Sequence, residues 1–176
     1  MAEYTPMMQH YLKMKEENPD SILFYRLGDF YEMFFEDAKL VSQELDLVLT
    51  GRSAGVEEKV PMCGIPFHAA NSYIQRLVKK GYKVAICEQL EDPSSAKGLV
   101  DRGIIKIITP GTYMDATMDA KSTNYMASCD VSSFEITVIY CELSTGELKY
   151  QTLQRSLVAL QKALLEQNVS ELVCPM

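Results

Sequence analysis

Residues 22–35 read Ile22-Leu23-Phe24-Tyr25-Arg26-Leu27-Gly28-Asp29-Phe30-Tyr31-Glu32-Met33-Phe34-Phe35. The apolar run from Ile22 to Leu27 is short and bounded by turn-forming residues, which is typical of a buried strand. Gly28 and Asp29 interrupt the run, and four aromatic residues then fall within six positions. Taken alone, Phe30 is expected in the core with its aromatic neighbours. The stretch therefore predicts a strand, a break and an aromatic cluster at the centre of the fold.

Helical patterns flank this stretch on both sides. Thr5-Pro6 predicts the start of a helix that Asn18-Pro19-Asp20 ends. Asp37 is the predicted cap of a second helix, and Gly81 lies just after a third helix predicted over 69–80. Further strands are predicted over 47–50, 82–87 and 104–108, with a polar loop over 51–59 and an irregular segment over 61–66. Helices that alternate with strands in this way indicate an α/β fold.

A change of pattern marks a second domain. Residues 1–115 form the first predicted domain, 116–123 a linker, and 124–176 a second domain that is cut short. The second domain contains predicted strands over 126–130, 134–142 and 147–153. Ser156 is the predicted cap of a helix that follows them. We expect Leu157, Leu160, Leu164 and Leu165 on the inner face of that helix, and residues 172–174 then begin a further strand.

Composition excludes several classes of protein. The chain has 176 residues, of which 47% are hydrophobic, so it is long enough for a real core. It contains no apolar run of about 20 residues, and its first residues lack the basic and apolar regions of a secretory signal. The five cysteines are odd in number and form no Cys-x-x-Cys pair, which favours reduced thiols over disulfides or zinc. A net charge of −7 argues against purely electrostatic binding to nucleic acid.

The residues taken by themselves are compatible with three functions. The carboxylates Asp29, Glu32, Glu36 and Asp37, or Asp130 further on, are candidates for the metal ligands of a nuclease. Cys63 and His68 are a candidate Cys–His pair, although nothing supplies an orienting third group. A stand-alone protein-interaction module also fits the acidic composition. The sequence has neither a phosphate-binding Gly-x-x-x-x-Gly-Lys-Ser/Thr loop nor a Gly-x-Gly-x-x-Gly motif, so it predicts no nucleotide site and no ATPase activity in this chain.

Four motifs together resemble one family. They are Phe24–Phe34, Pro61-Met62-Cys63-Gly64-Ile65-Pro66-Phe67-His68, Val84-Ala85-Ile86-Cys87-Glu88-Gln89 and Thr109-Pro110-Gly111-Thr112. In this order and spacing they resemble the N-terminal part of the bacterial MutS DNA mismatch repair proteins. The likeness is dense over residues 4–115 and continues through 140–148. It implies a mixed β-sheet domain flanked by helices, followed by an incomplete ribonuclease-H-like α/β connector domain.

The resemblance also implies roles for individual residues. Phe30 would wedge into the duplex from the minor groove and stack on one base of a mispair, and Glu32 would hydrogen-bond that base. Arg52 and the stretch Met62, Cys63 and Gly64 would lie against the neighbouring backbone or groove.

The same resemblance implies a larger context for the chain. It would be an N-terminal fragment of a homodimeric, bacterial cytoplasmic protein associated with the nucleoid. Its partners would be double-stranded DNA with mismatches or small loops and a downstream MutL-type repair protein. ATP and magnesium would belong to the parent family, with no metal or cofactor in this fragment and no membrane contact.

Overall fold

A computed structural model describes residues 3–91, 100–114 and 124–174. It divides into two compact units between Ile108 and Thr109. Both units combine helices with a mixed sheet, so the α/β prediction is confirmed. The predicted linker over 116–123 lies outside the described residues, and the domain limits 1–115 and 124–176 stay a prediction. None of the helices in the described residues combines the length and the apolar character that a membrane span requires.

The first unit is a six-stranded sheet with three α-helices. Its elements are α1 (Pro6–Glu17), β1 (Ser21–Leu27), β2 (Phe30–Phe34), α2 (Phe35–Leu45), β3 (Thr50–Arg52), β4 (Val60–Pro66), a 3-10 turn (Phe67–Ala69), α3 (Ala70–Lys79), β5 (Lys83–Gln89) and β6 (Arg102–Ile108). The strands follow the order β3-β4-β2-β1-β5-β6. β1 pairs in parallel with β5, and every other pair in this sheet is antiparallel.

The two faces of this sheet carry separate parts of the core. Met8 and Tyr11 of α1 pack with Leu23, Tyr25 and Phe34 on one face. Because side chains alternate along a strand, their neighbours Phe24, Met33, Cys63 and Ile65 point to the other face, where they are buried. α2 packs against β2 and β4, and α3 packs against β5. The sheet therefore has a helix layer on each side.

Asp37 is not the cap of α2 that the sequence suggested. The helix begins at Phe35, which places Asp37 in its first turn, buried. Its carboxylate accepts hydrogen bonds from the Leu23 backbone N–H at 2.9 Å and from Lys15 Nζ at 2.9 Å. A buried carboxylate needs such partners, and here they join α1, β1 and α2.

Two predictions around β3 and β4 are also wrong, one of a strand and one of an irregular segment. The strand predicted over 47–50 runs instead from Thr50 to Arg52, within the segment expected to be a loop. The segment 61–66, expected to be irregular, is strand β4. Its two prolines and its glycine disfavour a strand locally, but β4 pairs with β2 on one side and β3 on the other.

The second unit is a four-stranded sheet with one helix. Its elements are β7 (Tyr125–Val131), β8 (Glu135–Glu142), β9 (Glu147–Gln154), α4 (Leu157–Glu166) and β10 (Val169–Val173), and the strand order is β10-β7-β8-β9. Ser156 caps α4 as predicted, because its side chain accepts from the Ala159 N–H. Leu160 and Leu164 pack on the core, but Leu157 and Leu165 are exposed. The buried face of α4 is narrower than the leucine pattern implied, with Ala163 at its centre.

Candidate nucleic-acid interface

A tight hairpin presents Phe30 to solvent. Leu27 pairs with Phe30 across the turn formed by Gly28 and Asp29. Gly28 has a φ of +58°, and glycine at the first loop position suits the type I′ and type II′ turns that connect hairpin strands. The Asp29 carbonyl also accepts a hydrogen bond from the Phe67 N–H at 2.9 Å, which fixes the turn against the chain that follows β4.

Phe30 is 45% exposed, whereas Phe34 on the same strand is fully buried. The expectation from the residue taken alone, that Phe30 lies in the core, is therefore wrong. The strand places both rings on one face of the sheet, and only the position next to the turn lies clear of the core. An exposed aromatic ring on a short, pinned hairpin is a rigid apolar projection.

Glu32 and Gly64 lie on the same face as Phe30. Glu32 is two residues from Phe30 along β2, and Gly64 is directly opposite Glu32 on β4. Gly64 is exposed and has no side chain. Gly64 therefore adds no side chain beside Phe30 and Glu32.

Arg52 forms an ion pair with Glu32 across the sheet. Arg52 Nη1 donates to Glu32 Oε2 at 2.5 Å, and β4 lies between the strands that carry them. The Glu32 side chain is 17% exposed and that of Arg52 is 38% exposed. The structure thus brings together three of the predicted site residues, Phe30 and Glu32 on β2 and Arg52 on β3.

Met62 and Cys63 differ in their placement. Met62 lies opposite Phe34 and is partly buried against the core below α1. Cys63 points to the other face, where it is buried and its thiol donates to the Ala38 carbonyl. Burial and the nearby Asp37 carboxylate raise the pKa of the Cys63 thiol to about 11. Any contact that Cys63 makes beyond the core must therefore use its backbone.

A cluster on the opposite face supports the hairpin from below. The Arg26 guanidinium lies over the Phe67 ring, 3.8 Å from its centroid. Arg26 also pairs with Glu88 at 3.4 Å, and the Tyr31 hydroxyl donates to the same carboxylate. Burial, reinforced by the Glu88 carboxylate, raises the pKa of Tyr31 to about 12. All four of these residues lie within the sequence motifs, but no role was predicted for any of them.

The residues of the candidate metal site and of the candidate Cys–His pair do not come together in the structure. Glu36 pairs with Lys39 at the surface, Asp37 is buried with Lys15, and Glu32 is paired with Arg52. Across residues 3–91, 100–114 and 124–174, no three His, Cys, Asp or Glu side chains converge as a metal site. Cys63 is buried while His68 is exposed, so these two do not form a nucleophile and base at the surface.

Comparison with known families decides the identity of the fold. The family model described as MutS domain I matches residues 5–117, which include every residue of the candidate site. The chain belongs to the MutS family. Proteins named DNA mismatch repair protein MutS match this chain over domain I and over the residues that follow it. Two Clostridium botulinum relatives, from strains Loch Maree and 657, are each 54% identical over 95% of this chain. A Clostridium tetani relative of the same name is 58% identical over 81% of the chain.

This MutS chain spans about a fifth of the length of those relatives, since the match covers 19% of the Clostridium botulinum proteins and 16% of the Clostridium tetani protein. The match to domain I ends at residue 117, nine residues beyond Ile108, where the first compact unit ends. The predicted family membership is therefore confirmed for the site-bearing unit.

Proposed function

We propose that this chain reads mispaired or unpaired bases in duplex DNA, as part of a longer protein that initiates mismatch repair. In this proposal Phe30 enters the minor groove and stacks on one base of the mispair. The observation that carries it is the exposure of Phe30 at the tip of a pinned hairpin, in a chain that belongs to the MutS family.

An aromatic wedge converts weak base pairing into binding preference. Inserting a side chain between base steps costs about a few kcal/mol of stacking and kinks the duplex. A mispair stacks poorly, so the same insertion costs less there. Stacking on one aromatic ring returns about 1–3 kcal/mol, which is enough to bias binding but not to hold DNA unaided. The recognition is therefore of deformability, and it tolerates many kinds of mismatch.

Glu32 supplies the polar half of the proposed contact. Its carboxylate lies on the face of Phe30 and would accept a hydrogen bond from the stacked base. A carboxylate near phosphates also opposes binding where no base donor is offered, which penalises matched duplexes. We expect Glu32→Gln to keep or raise affinity for matched DNA, because the change removes this repulsion.

The remaining activities belong, in this proposal, to parts of a longer protein. ATP hydrolysis with magnesium, homodimer formation and contact with a MutL-type partner would lie outside these 176 residues, which act in DNA recognition rather than catalysis. The described residues do not fit a magnesium–nucleotide site, since the sequence has no phosphate-binding loop and no three described His, Cys, Asp or Glu side chains converge. A cytoplasmic, nucleoid-associated location follows from the proposed substrate.

The test is fluorescence anisotropy with a labelled G·T duplex and its matched duplex. We expect a full-length protein carrying this chain to bind the G·T duplex more tightly, and Phe30→Ala to remove that preference while the fold is kept. Phe134→Ala is the control, because Phe134 is an exposed phenylalanine in the other unit. Equal affinity of the unaltered protein for both duplexes would refute the proposal. Unfolding by Phe30→Ala would show that the ring is structural.

A further inference from the structure

The contact between Arg52 and Glu32 joins strands that are not neighbours. Arg52 lies in β3, at one end of the sheet order, and Glu32 lies in β2, with β4 between them. The Arg52 side chain therefore reaches across β4 to Glu32, where Arg52 Nη1 meets Glu32 Oε2 at 2.5 Å. Gly64 on β4 presents no side chain next to Glu32.

The contact uses only part of each group. Glu32 engages Arg52 through Oε2, and among the described residues nothing donates to Glu32 Oε1. A guanidinium has five N–H donors. In the described part of the chain, Arg52 uses one of its side-chain donors, the one that meets Glu32. The pair thus leaves one carboxylate oxygen and most of the guanidinium free for a ligand.

We propose that Arg52 is the positioning residue of the site. It holds the Glu32 carboxylate beside Phe30 through Oε2, with Oε1 free to accept from a base, and donates its remaining N–H groups to a DNA phosphate. This inference rests on the proposed function. A guanidinium between two anions offsets their mutual repulsion, and its planar fork suits both a carboxylate and a phosphate. Arg52 would therefore reduce the repulsion between the Glu32 carboxylate and the DNA phosphates.

The exposure of the two side chains supports this role. Arg52 is the more exposed member of the pair at 38%, so its free donors are accessible, while Glu32 is largely covered at 17%. A purely structural ion pair would only tie β3 to the sheet. Such a role predicts a change in stability, whereas a positioning role predicts a change in base discrimination that depends on Glu32.

The experiment is a double-mutant cycle in a full-length protein carrying this chain. Affinities for G·T and matched duplexes are measured for the unaltered protein, Arg52→Ala, Glu32→Gln and the double variant. We expect Arg52→Ala to lower the G·T preference by about fivefold or more when Glu32 is present, and by less than about twofold when it is Gln. We also expect the slope of log affinity against log salt to fall by about 0.9, the loss of one phosphate contact.

Two further variants complete the design. Arg52→Lys keeps the charge, so it should keep the salt slope and recover part of the preference. Lys80→Ala is the matched control, because Lys80, the residue after α3, pairs with Glu44 of α2 at 2.6 Å on the opposite face, and it should leave the preference unchanged. Thermal unfolding by circular dichroism shows that each variant is folded.

The outcomes separate the two proposals. Equal affinity of the unaltered protein for both duplexes would overturn the proposed function and this inference with it. A preference in the unaltered protein, with the same loss from Arg52→Ala in both backgrounds, would overturn only the positioning role. An unchanged salt slope would overturn the phosphate contact alone.

Discussion

Gly64 lies directly opposite Glu32 in the pairing of β4 with β2, and a β-carbon at Gly64 would lie 3.4 Å from Glu32 Cγ. The same β-carbon would lie 3.9 Å from Phe30 Cδ1. These are ordinary contact distances for one methyl group, so the further methyl groups of a branched side chain would compete for space with Glu32 and Phe30. The absence of a side chain at Gly64 thus keeps the Phe30 ring and the Glu32 side chain free of contact with a side chain of β4 at this position.

We predict that Gly64→Ala keeps both the fold and the mismatch preference, whereas Gly64→Val loses the preference. The added methyl groups of valine would push Glu32 or Phe30 from its position at an exposed site, so stability should change by less than about 1 kcal/mol. Anisotropy with G·T and matched duplexes measures the preference, and urea unfolding measures the stability. A Gly64→Val protein that still prefers the G·T duplex would show that this space is not used.

Asp37 should be the most sensitive carboxylate in the first unit. Asp37→Ala removes the acceptor of the buried Leu23 N–H and one of the two acceptors of Lys15 Nζ, which keeps the Ser21 carbonyl. We expect a loss of about 3 kcal/mol in the free energy of unfolding. Glu36→Ala is the control on the same helix, because the Glu36 side chain is 84% exposed, and it should cost less than about 0.5 kcal/mol. Equal effects of the two changes in urea unfolding would contradict this account.

The cysteines should differ widely in reactivity. Burial raises the pKa of both the Cys63 and the Cys87 thiols to about 11. Because the thiolate is the reactive form, only about one in a thousand of these thiols is ionised at pH 8. Cys174 is exposed. Iodoacetamide followed by peptide mass spectrometry should label Cys174 in the folded protein, and Cys63 and Cys87 only after unfolding. Early labelling of Cys63 would show that the face below α2 opens readily.

The second unit should lose stability in acid through Glu142. Hydrogen bonds from Thr145 and Ser144 hold the pKa of this carboxyl at about 2. Because the pKa is lower in the folded state, the stabilisation is complete above the unfolded value of about 4.3 and is lost as the pH falls toward 2. Glu142→Gln should therefore show a shallower fall in melting temperature across this window than the parent. Glu135→Gln, an exposed residue on the same strand, serves as the control and should follow the parent.

The elements that the sequence predicted well have local causes. Pro6 and Asn18 bound α1, Gly81 follows α3 with a φ of +92°, and Ser156 caps α4 with its own side chain. In each case the decisive interaction lies within a few residues of the chain. The strand β1 was equally clear, because a short apolar run between turn residues has few other structures open to it.

The failures have non-local causes. β4 contains Pro61, Gly64 and Pro66, and it is a strand because β2 and β3 flank it. Asp37 does not cap α2, because its carboxylate accepts hydrogen bonds from Leu23 and Lys15, which belong to other elements. A pattern of neighbours along the chain contains no information about partners 14 or 22 residues away.

By itself the sequence determined the α/β class, most of the helices and strands, and membership of the MutS family through four ordered motifs. It also named Phe30, Glu32, Arg52 and Gly64 as residues of interest. Only the tertiary structure decided that Phe30 is exposed while Phe34 is buried, that Cys63 faces the core, and that Arg52 meets Glu32. The physical reason is that exposure and ion pairing depend on which strands pair and which face a helix covers, and the order β3-β4-β2 sets both for this site.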